Sequence, residues 1–157
     1  MQTEIWWIGK TNEAYLKEGI GIYEKRLRRY MKIKTVGFAD IKNAKNLSAT
    51  QLKDKEGEKL LDKIQRGDFL ILLDEKGKAY SSVQLARFIE RQLTQSHHRI
   101  IFLMGGAFGF SDAVYERANH QISLSNLTFS HQMVRLFFME QLYRAMTILR
   151  NEPYHNV

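Results

Sequence analysis

At 157 residues, 44% of them hydrophobic, the chain has the length of one domain with a core of its own. The absence of cysteine excludes disulfides, thiolate zinc sites and methylation through a covalent cysteine adduct, and it fits a reducing cytoplasm. A net charge of +7 favours a polyanionic partner such as nucleic acid, although a generic basic surface gives the same sum.

In chain order, residues 3–9 (TEIWWIG) read as a first strand closed by Gly9. Leu16, Ile20, Tyr23, Leu27 and Tyr30 then recur at steps of four and three, one buried stripe of a helix. Residues 33–38 (IKTVGF) form a second strand. Ser48 and Gln51 make a capping box at the next helix start, with Leu47 stapled to Leu52, and that helix is expected to stop near Gly67. Residues 68–74 (DFLILLD) are continuously apolar and so buried on both sheet faces. Ser81 and Gln84 repeat the capping box, and Leu85, Phe88, Ile89 and Leu93 supply the packed face of the third helix. Residues 99–106 (RIIFLMGG) are a fourth strand, Ser111 or Asp112 caps a short helix, and residues 121–125 (QISLS) are a fifth strand. A long helix follows from about Ser130. Alternating strands and helices with short connections predict a single α/β domain over 1–157, a mainly parallel sheet with helices on both faces.

The N-terminus has no basic leader before a long apolar run, so no signal peptide is expected. No apolar stretch approaches the roughly 20 residues of a membrane span, and we expect a cytoplasmic location.

Ligands of open α/β sheets sit at the carboxyl ends of the strands. Three such ends stand out: Leu73-Asp74, Gly105-Gly106-Ala107-Phe108-Gly109, and the run Leu124 to Phe129. The glycines match neither a dinucleotide fingerprint nor a P-loop. They read as a tight strand-to-helix turn or as bare backbone placed against a flat ligand. The segment SLSNLT reads as turn and cap chemistry, or as a loop offering amides and hydroxyls from an apolar wall, suited to an adenine ring and a small zwitterion. Asp74 and Glu75 sit beside a glycine turn, and nothing in the sequence makes them an acid–base pair. His97 and His98 have no metal-ligand spacing, and no metal is expected.

The motifs FLMGGAFGF, ISLSNLTFSHQMVRLFFMEQLYRA and NEPYHNV resemble the SPOUT-class methyltransferases, and more narrowly the ribosomal RNA large-subunit methyltransferase H family. LLDEKGK and IWWIGK fit the same pattern, so the resemblance spans essentially the whole chain. It implies an α/β domain with a C-terminal trefoil knot, a homodimer, S-adenosylmethionine as donor, and methylation at N3 of a pseudouridine in large-subunit ribosomal RNA, within the ribosome. It implies cofactor contacts at Leu73, Gly105, Leu124, Ser125, Asn126, Leu127, Thr128 and Phe129. His131, Tyr154 and His155 are implied near the target base. Asn156 stands where many members of the family carry a basic residue.

Within that resemblance, His155 is the expected general base for an imide N–H, or else a phosphate or backbone contact in the tail. Tyr154 is expected to stack on the base or to anchor the tail. His131 contacts substrate or caps the helix turn. The last helix is apolar around most of its circumference, which predicts burial on all sides and therefore a partner subunit. Arg135 and Arg144 within it are expected to be paired or to snorkel, or to contact RNA or the partner's site. Arg26, Arg28, Arg29, Lys32 and Lys34 form a basic cluster that is a solvated face or a phosphate track.

Overall fold

Side-chain alternation along each strand divides the core in two. Ile5, Trp7, Ile71, Ile100, Phe102 and Met104 point to one face of the sheet, while Trp6, Ile8, Leu70, Leu72, Ile101 and Leu103 point to the other. Because both faces are apolar, both need cover. The computed structural model, which describes residues 1–156, supplies it. Val157, the last residue of the C-terminal motif, lies outside the described residues.

The elements run β1 (Gln2–Ile8), α1 (Ala14–Leu27), β2 (Lys32–Phe38), α2 (Ala49–Leu61), β3 (Asp68–Ala79), α3 (Ser82–Leu93), β4 (Arg99–Met104), α4 (Asp112–Arg117), β5 (His120–Ser123) and α5 (Met133–Leu149). The strands form a five-stranded sheet in the order β2-β1-β4-β3-β5, and every pairing is parallel. Helices α1, α3 and α5 cover one face; α2 and α4 cover the other. The expected α/β class, the parallel sheet and the two helical layers are all present. β3 lies between β4 and β5, so the three expected strand tips are neighbours.

The local start signals act as read. Ser48 and Gln51, and again Ser81 and Gln84, exchange both hydrogen bonds of a capping box. Ser111 caps α4 by accepting from the Val114 amide. Two boundaries differ from expectation. Helix α2 ends at Leu61, short of Gly67. The chain there tightens into i→i+3 turns, Lys63 N to Leu60 O and Ile64 N to Leu61 O, and Asp68 then anchors the turn through the Gln65 amide.

The second difference lies in β3. It continues past Asp74 to Ala79, with Leu73 and Lys78 both opposite Ile122. Asp74, Glu75, Lys76 and Gly77 therefore bulge out of the ladder. Gly77 presses against β5: a Cβ there would meet Ile122 backbone C and N at 2.6 Å.

Helix α5 finds most of its cover inside the chain, between α1 and α3 and over the sheet. Phe137 is its one exposed large hydrophobic residue. The apolar circumference read from sequence is thus largely spent on intramolecular packing. Its exposed remainder is a short stripe, not a whole face.

At the amino end of the sheet Asp68, Arg99 and Glu4 form a buried network. Arg99 Nη2 lies 2.5 Å from Asp68 Oδ2, and Nη1 lies 3.3 Å from Glu4 Oε2. Burial alone would raise the Asp68 pKa, but hydrogen bonds from Arg99 and the Gln65 amide, with the Arg99 charge, hold it below the usual carboxylate value. A depressed folded-state pKa adds stability that is complete above the unfolded value of about 3.9 and is lost as pH falls through the folded one. Urea titrations should therefore show a stability drop below about pH 4. Asp68→Asn should be less stable at pH 7 and should flatten that acid limb.

Candidate active site

The tips of β3, β4 and β5 open into a cavity of about 710 Å³. That volume is within the range of roughly 300–1,000 Å³ typical of small-ligand sites. Of the residues that the resemblance implies for the cofactor, Leu73, Gly105, Leu124, Ser125, Leu127, Thr128 and Phe129 line this cavity; Asn126 belongs to the same loop but does not line it. His131 lines it too. Tyr154 and His155 do not. They lie in the tail after α5 and pack back on that helix, where Arg144 Nη1 bonds His155 Nδ1 at 3.1 Å and Tyr154 donates to Glu140 Oε1 at 3.0 Å.

Each wall has a local cause. The glycine loop is a close fold of backbone on itself: Gly106 and Gly109 form an isolated bridge, and Gly109 takes φ +83°. A Cβ at Gly105 would come within 3.3 Å of Gly109 backbone. The turn reading is met, and the same glycines lie on the cavity lining. The opposite wall is held by its own serines. Ser123 Oγ donates to Ser125 O at 3.0 Å, and Ser125 Oγ accepts from the Leu127 amide at 3.0 Å. Leu127 of this wall is 73% exposed, and Phe108 of the glycine loop is 56% exposed. Uncovered apolar side chains on the cavity lining suit a flat ring.

The cavity also carries charge. Lys53 reaches in from α2, Asp74, Glu75 and Lys76 from the β3 bulge, and Asp112 from α4. Tyr115 donates to Asp74 Oδ2, and burial together with that carboxylate pushes the Tyr115 pKa well up, so the phenol keeps its proton and fixes Asp74. Mixed acidic and basic groups beside an apolar slot suit a zwitterion with an aromatic ring. Lys53 and Tyr115 carried no sequence signal, and Asp112 only that of a possible helix cap. Only the fold brings α2 and α4 to this edge.

The ambiguous residues separate. Ser130 Oγ accepts from the Gln132 and Met133 amides at 3.3 and 3.2 Å, so Ser130 takes the capping role and leaves His131 to the cavity. Arg135 neither pairs nor snorkels. It is 1% exposed, donates to Thr11 Oγ1 at 2.9 Å and to Ile8 O at 2.8 Å, and lies over the Trp7 ring. It ties the entry of α5 to the end of β1, and burial lowers its pKa. Arg144 does pair, with Glu140 Oε1 at 2.6 Å.

A family model described as "Predicted SPOUT methyltransferase" matches residues 1–155. The chain belongs to the SPOUT methyltransferase family. Among SPOUT relatives, the ribosomal RNA large subunit methyltransferase H of Parabacteroides distasonis is 52% identical over 149 residues, 95% of each chain. The protein of that name from Flavobacterium psychrophilum is 54% identical over 149 residues, 95% of each chain. That from Cytophaga hutchinsonii is 50% identical over 156 residues, 99% of this chain and 100% of its own. Among solved structures, a probable methylase family protein from Haemophilus influenzae aligns with a TM-score of 0.52 at 10% identity, over 99% of this chain and 70% of that one. Identity that low speaks to the fold alone.

Proposed function

We propose that the chain uses S-adenosylmethionine to methylate N3 of a pseudouridine in large-subunit ribosomal RNA, working in the cytoplasm on ribosomal particles. The observation that carries this reading is the zwitterion-and-ring cavity at the β3, β4 and β5 tips of a SPOUT methyltransferase. The relatives' names direct it to ribosomal RNA. The C-terminal segment is further proposed to thread as a trefoil knot, as the family resemblance implies.

S-adenosylmethionine held by Leu73, Gly105 and the loop 124–129 would supply an electrophilic methyl carbon on a sulfonium and leave as the neutral thioether. The chain's own residues then have to expose and activate the nitrogen. N3 of a uracil-type ring is an imide N–H, and it attacks well only as its proton departs. His155 is the proposed acceptor. Arg144 can only donate and so occupies the Nδ1 lone pair of His155, and the base role requires that bond to open as the substrate enters. When that nitrogen takes the N3 proton, Glu140 retains the guanidinium. The N3 lone pair would then be free to take the methyl group that the bound donor would supply. Tyr154, braced by Glu140 and by the Tyr143 ring, is proposed to stack on the base. His131 is proposed to contact the substrate at the mouth of the donor cavity.

A homodimer through the α1–α5 layer is part of the proposal. Tyr15, Ile22 and Phe137 are exposed there, and Tyr15 OH reaches Met133 Sδ at 3.9 Å, which puts the two helices' exposed residues on one side. Light scattering should give twice the chain mass at micromolar concentration.

The direct test is transfer of labelled methyl to ribosomes from a strain lacking the gene, with the site read by mass spectrometry. A label elsewhere than N3 of a pseudouridine, or none, overturns the reading. The basic cluster at the end of α1 adds a second expectation. Arg28 is half-committed to Glu24 and Lys34 to Glu4, and Arg26 lies over Tyr23. If these cations still meet phosphates, each neutralised phosphate contributes about −0.7 to −0.9 to the log–log salt slope. Ribosome affinity should fall about tenfold or more between 50 and 200 mM salt; a flat dependence removes the cluster from RNA binding.

A further inference from the structure

The chain is turned back sharply after α5. Asn151 takes the left-handed conformation, φ +54°; its amide donates to Ile148 O at 3.1 Å, and the Glu152 amide donates to Thr147 O at 2.9 Å. Those two bonds around a left-handed residue make a Schellman turn, with Pro153 following to bar further helix. The turn brings the Glu152 side chain to the end of α1, where Tyr30 OH donates to Glu152 Oε2 at 2.6 Å. Two more groups from the end of α5 meet the same tyrosine. The Arg150 guanidinium lies over its ring at 5.3 Å, and the Tyr143 ring meets it edge-on at 6.1 Å.

We propose that Tyr30 is a positioning residue for the reaction: by holding Glu152 it fixes the point from which His155 reaches the substrate. The inference rests on the methyltransferase reading above and adds to it a residue remote from the donor cavity. His155 is bonded to Arg144, and that bond has to open before the imidazole can take a proton. A tail held there alone would then be loose, and its histidine would be diluted over the volume that a free segment sweeps. The Tyr30–Glu152 bond is not consumed in the step. Three residues of extended chain span at most about 10 Å, so an anchored Glu152 keeps His155 close throughout.

The anchor also keeps its proton. The bond to Glu152, followed by burial, pushes the Tyr30 pKa up to about 12, so the phenol is a donor across the neutral range. Tyr30 does not touch the reacting atoms. It acts through Glu152 on the segment that does.

Tyr30→Phe tests this, because it removes the hydroxyl and leaves the ring to meet Arg150 and Tyr143. Single-turnover methyl transfer to ribosomes should slow about three- to tenfold, a modest loss because this bond to a charged group faces solvent. S-adenosylhomocysteine affinity should stay within about twofold, since neither Tyr30 nor Glu152 lines the donor cavity. Hydrogen exchange should quicken by a similar factor at the Glu152 and Tyr154 amides, which donate to Thr147 O and Glu152 O. Glu152→Gln keeps an acceptor oxygen and should retain more of the rate than Glu152→Ala. A merely structural role would slow transfer by the same factor whatever stands at residue 155. A positioning role acts through His155, so Tyr30→Phe should have little further effect once His155 is alanine. Wild-type turnover in Tyr30→Phe, or an equal proportional loss in the His155→Ala background, overturns the assignment. Failure of the function reading appears differently, as wild-type protein that transfers no methyl, and unchanged exchange at those two amides is then the result that overturns the role of Tyr30.

Discussion

Gly77→Ala lowers the melting temperature by about 6–12 °C and weakens donor binding with it. The cause is space, not conformation. A methyl group at this position would sit 2.6 Å from Ile122 backbone C and N and 2.7 Å from Gln121 backbone C. Those atoms belong to β5, a strand paired along β3 and unable to yield as a flexible side chain would. Overpacking against fixed backbone costs about 3 kcal/mol, and a domain of this size moves by roughly 2–4 °C per kcal/mol. The damage is local to function because the bulge that Gly77 closes presents Asp74, Glu75 and Lys76 to the donor cavity, and its β5 partner leads into Leu124 and Ser125. Gly21→Ala is the control. No atom lies within 4 Å of its added Cβ, and it sits inside α1. It should gain up to about 1 kcal/mol from helix propensity. Thermal and urea melts with calorimetry of S-adenosylhomocysteine check both. Wild-type stability in Gly77→Ala would mean that the bulge is free to shift.

That contrast marks what the sequence could carry. Continuous apolar runs such as Ile5, Trp6, Trp7 and Ile8 marked strands, because burial on both sheet faces leaves no polar alternation, and apolar residues at steps of three and four marked α1 and α3. Capping boxes fixed two helix starts because their partners lie three residues apart. The bulge in β3 was not legible. DEKG reads as a turn that ends a strand, and only the return of Lys78 and Ala79 to Ile122 and Ser123 makes it an interruption. The stop of α2 was missed for a similar reason: a run of good helix formers continues past Leu61, and the tie from Asp68 to Gln65 that ends it comes from the next strand. At the cavity, the residues on strand tips were visible in order along the chain. Lys53 and Tyr115 were not, since nothing local announces which helix edge will face a neighbouring loop. The apolar circumference of α5 misled in degree. It counted sides to be covered without knowing that α1 and α3 would cover two of them.

His155→Ala should leave S-adenosylhomocysteine binding within about twofold and reduce turnover on ribosomes about 10²- to 10⁴-fold, the usual worth of a positioned general base. Donor affinity is spared because His155 lies outside the donor cavity, held through Arg144 of α5. The alanine variant alone does not separate a base from a tail contact, so a second substitution is needed. Glutamine keeps a polar side chain with an acceptor oxygen that Arg144 can bond, yet it has no nitrogen able to take a proton at neutral pH. A base requires His155→Gln to be as slow as His155→Ala. A contact role predicts that glutamine restores most of the rate. Arg144→Lys sharpens the distinction, because the planar fork that reaches both Glu140 and His155 is lost while the charge remains. If His155 acts as a base positioned by that fork, Arg144→Lys should slow turnover in the wild-type background and have little further effect when His155 is already alanine. Independent, multiplicative losses in the two single variants would separate the arginine from the histidine and return the proton to solvent.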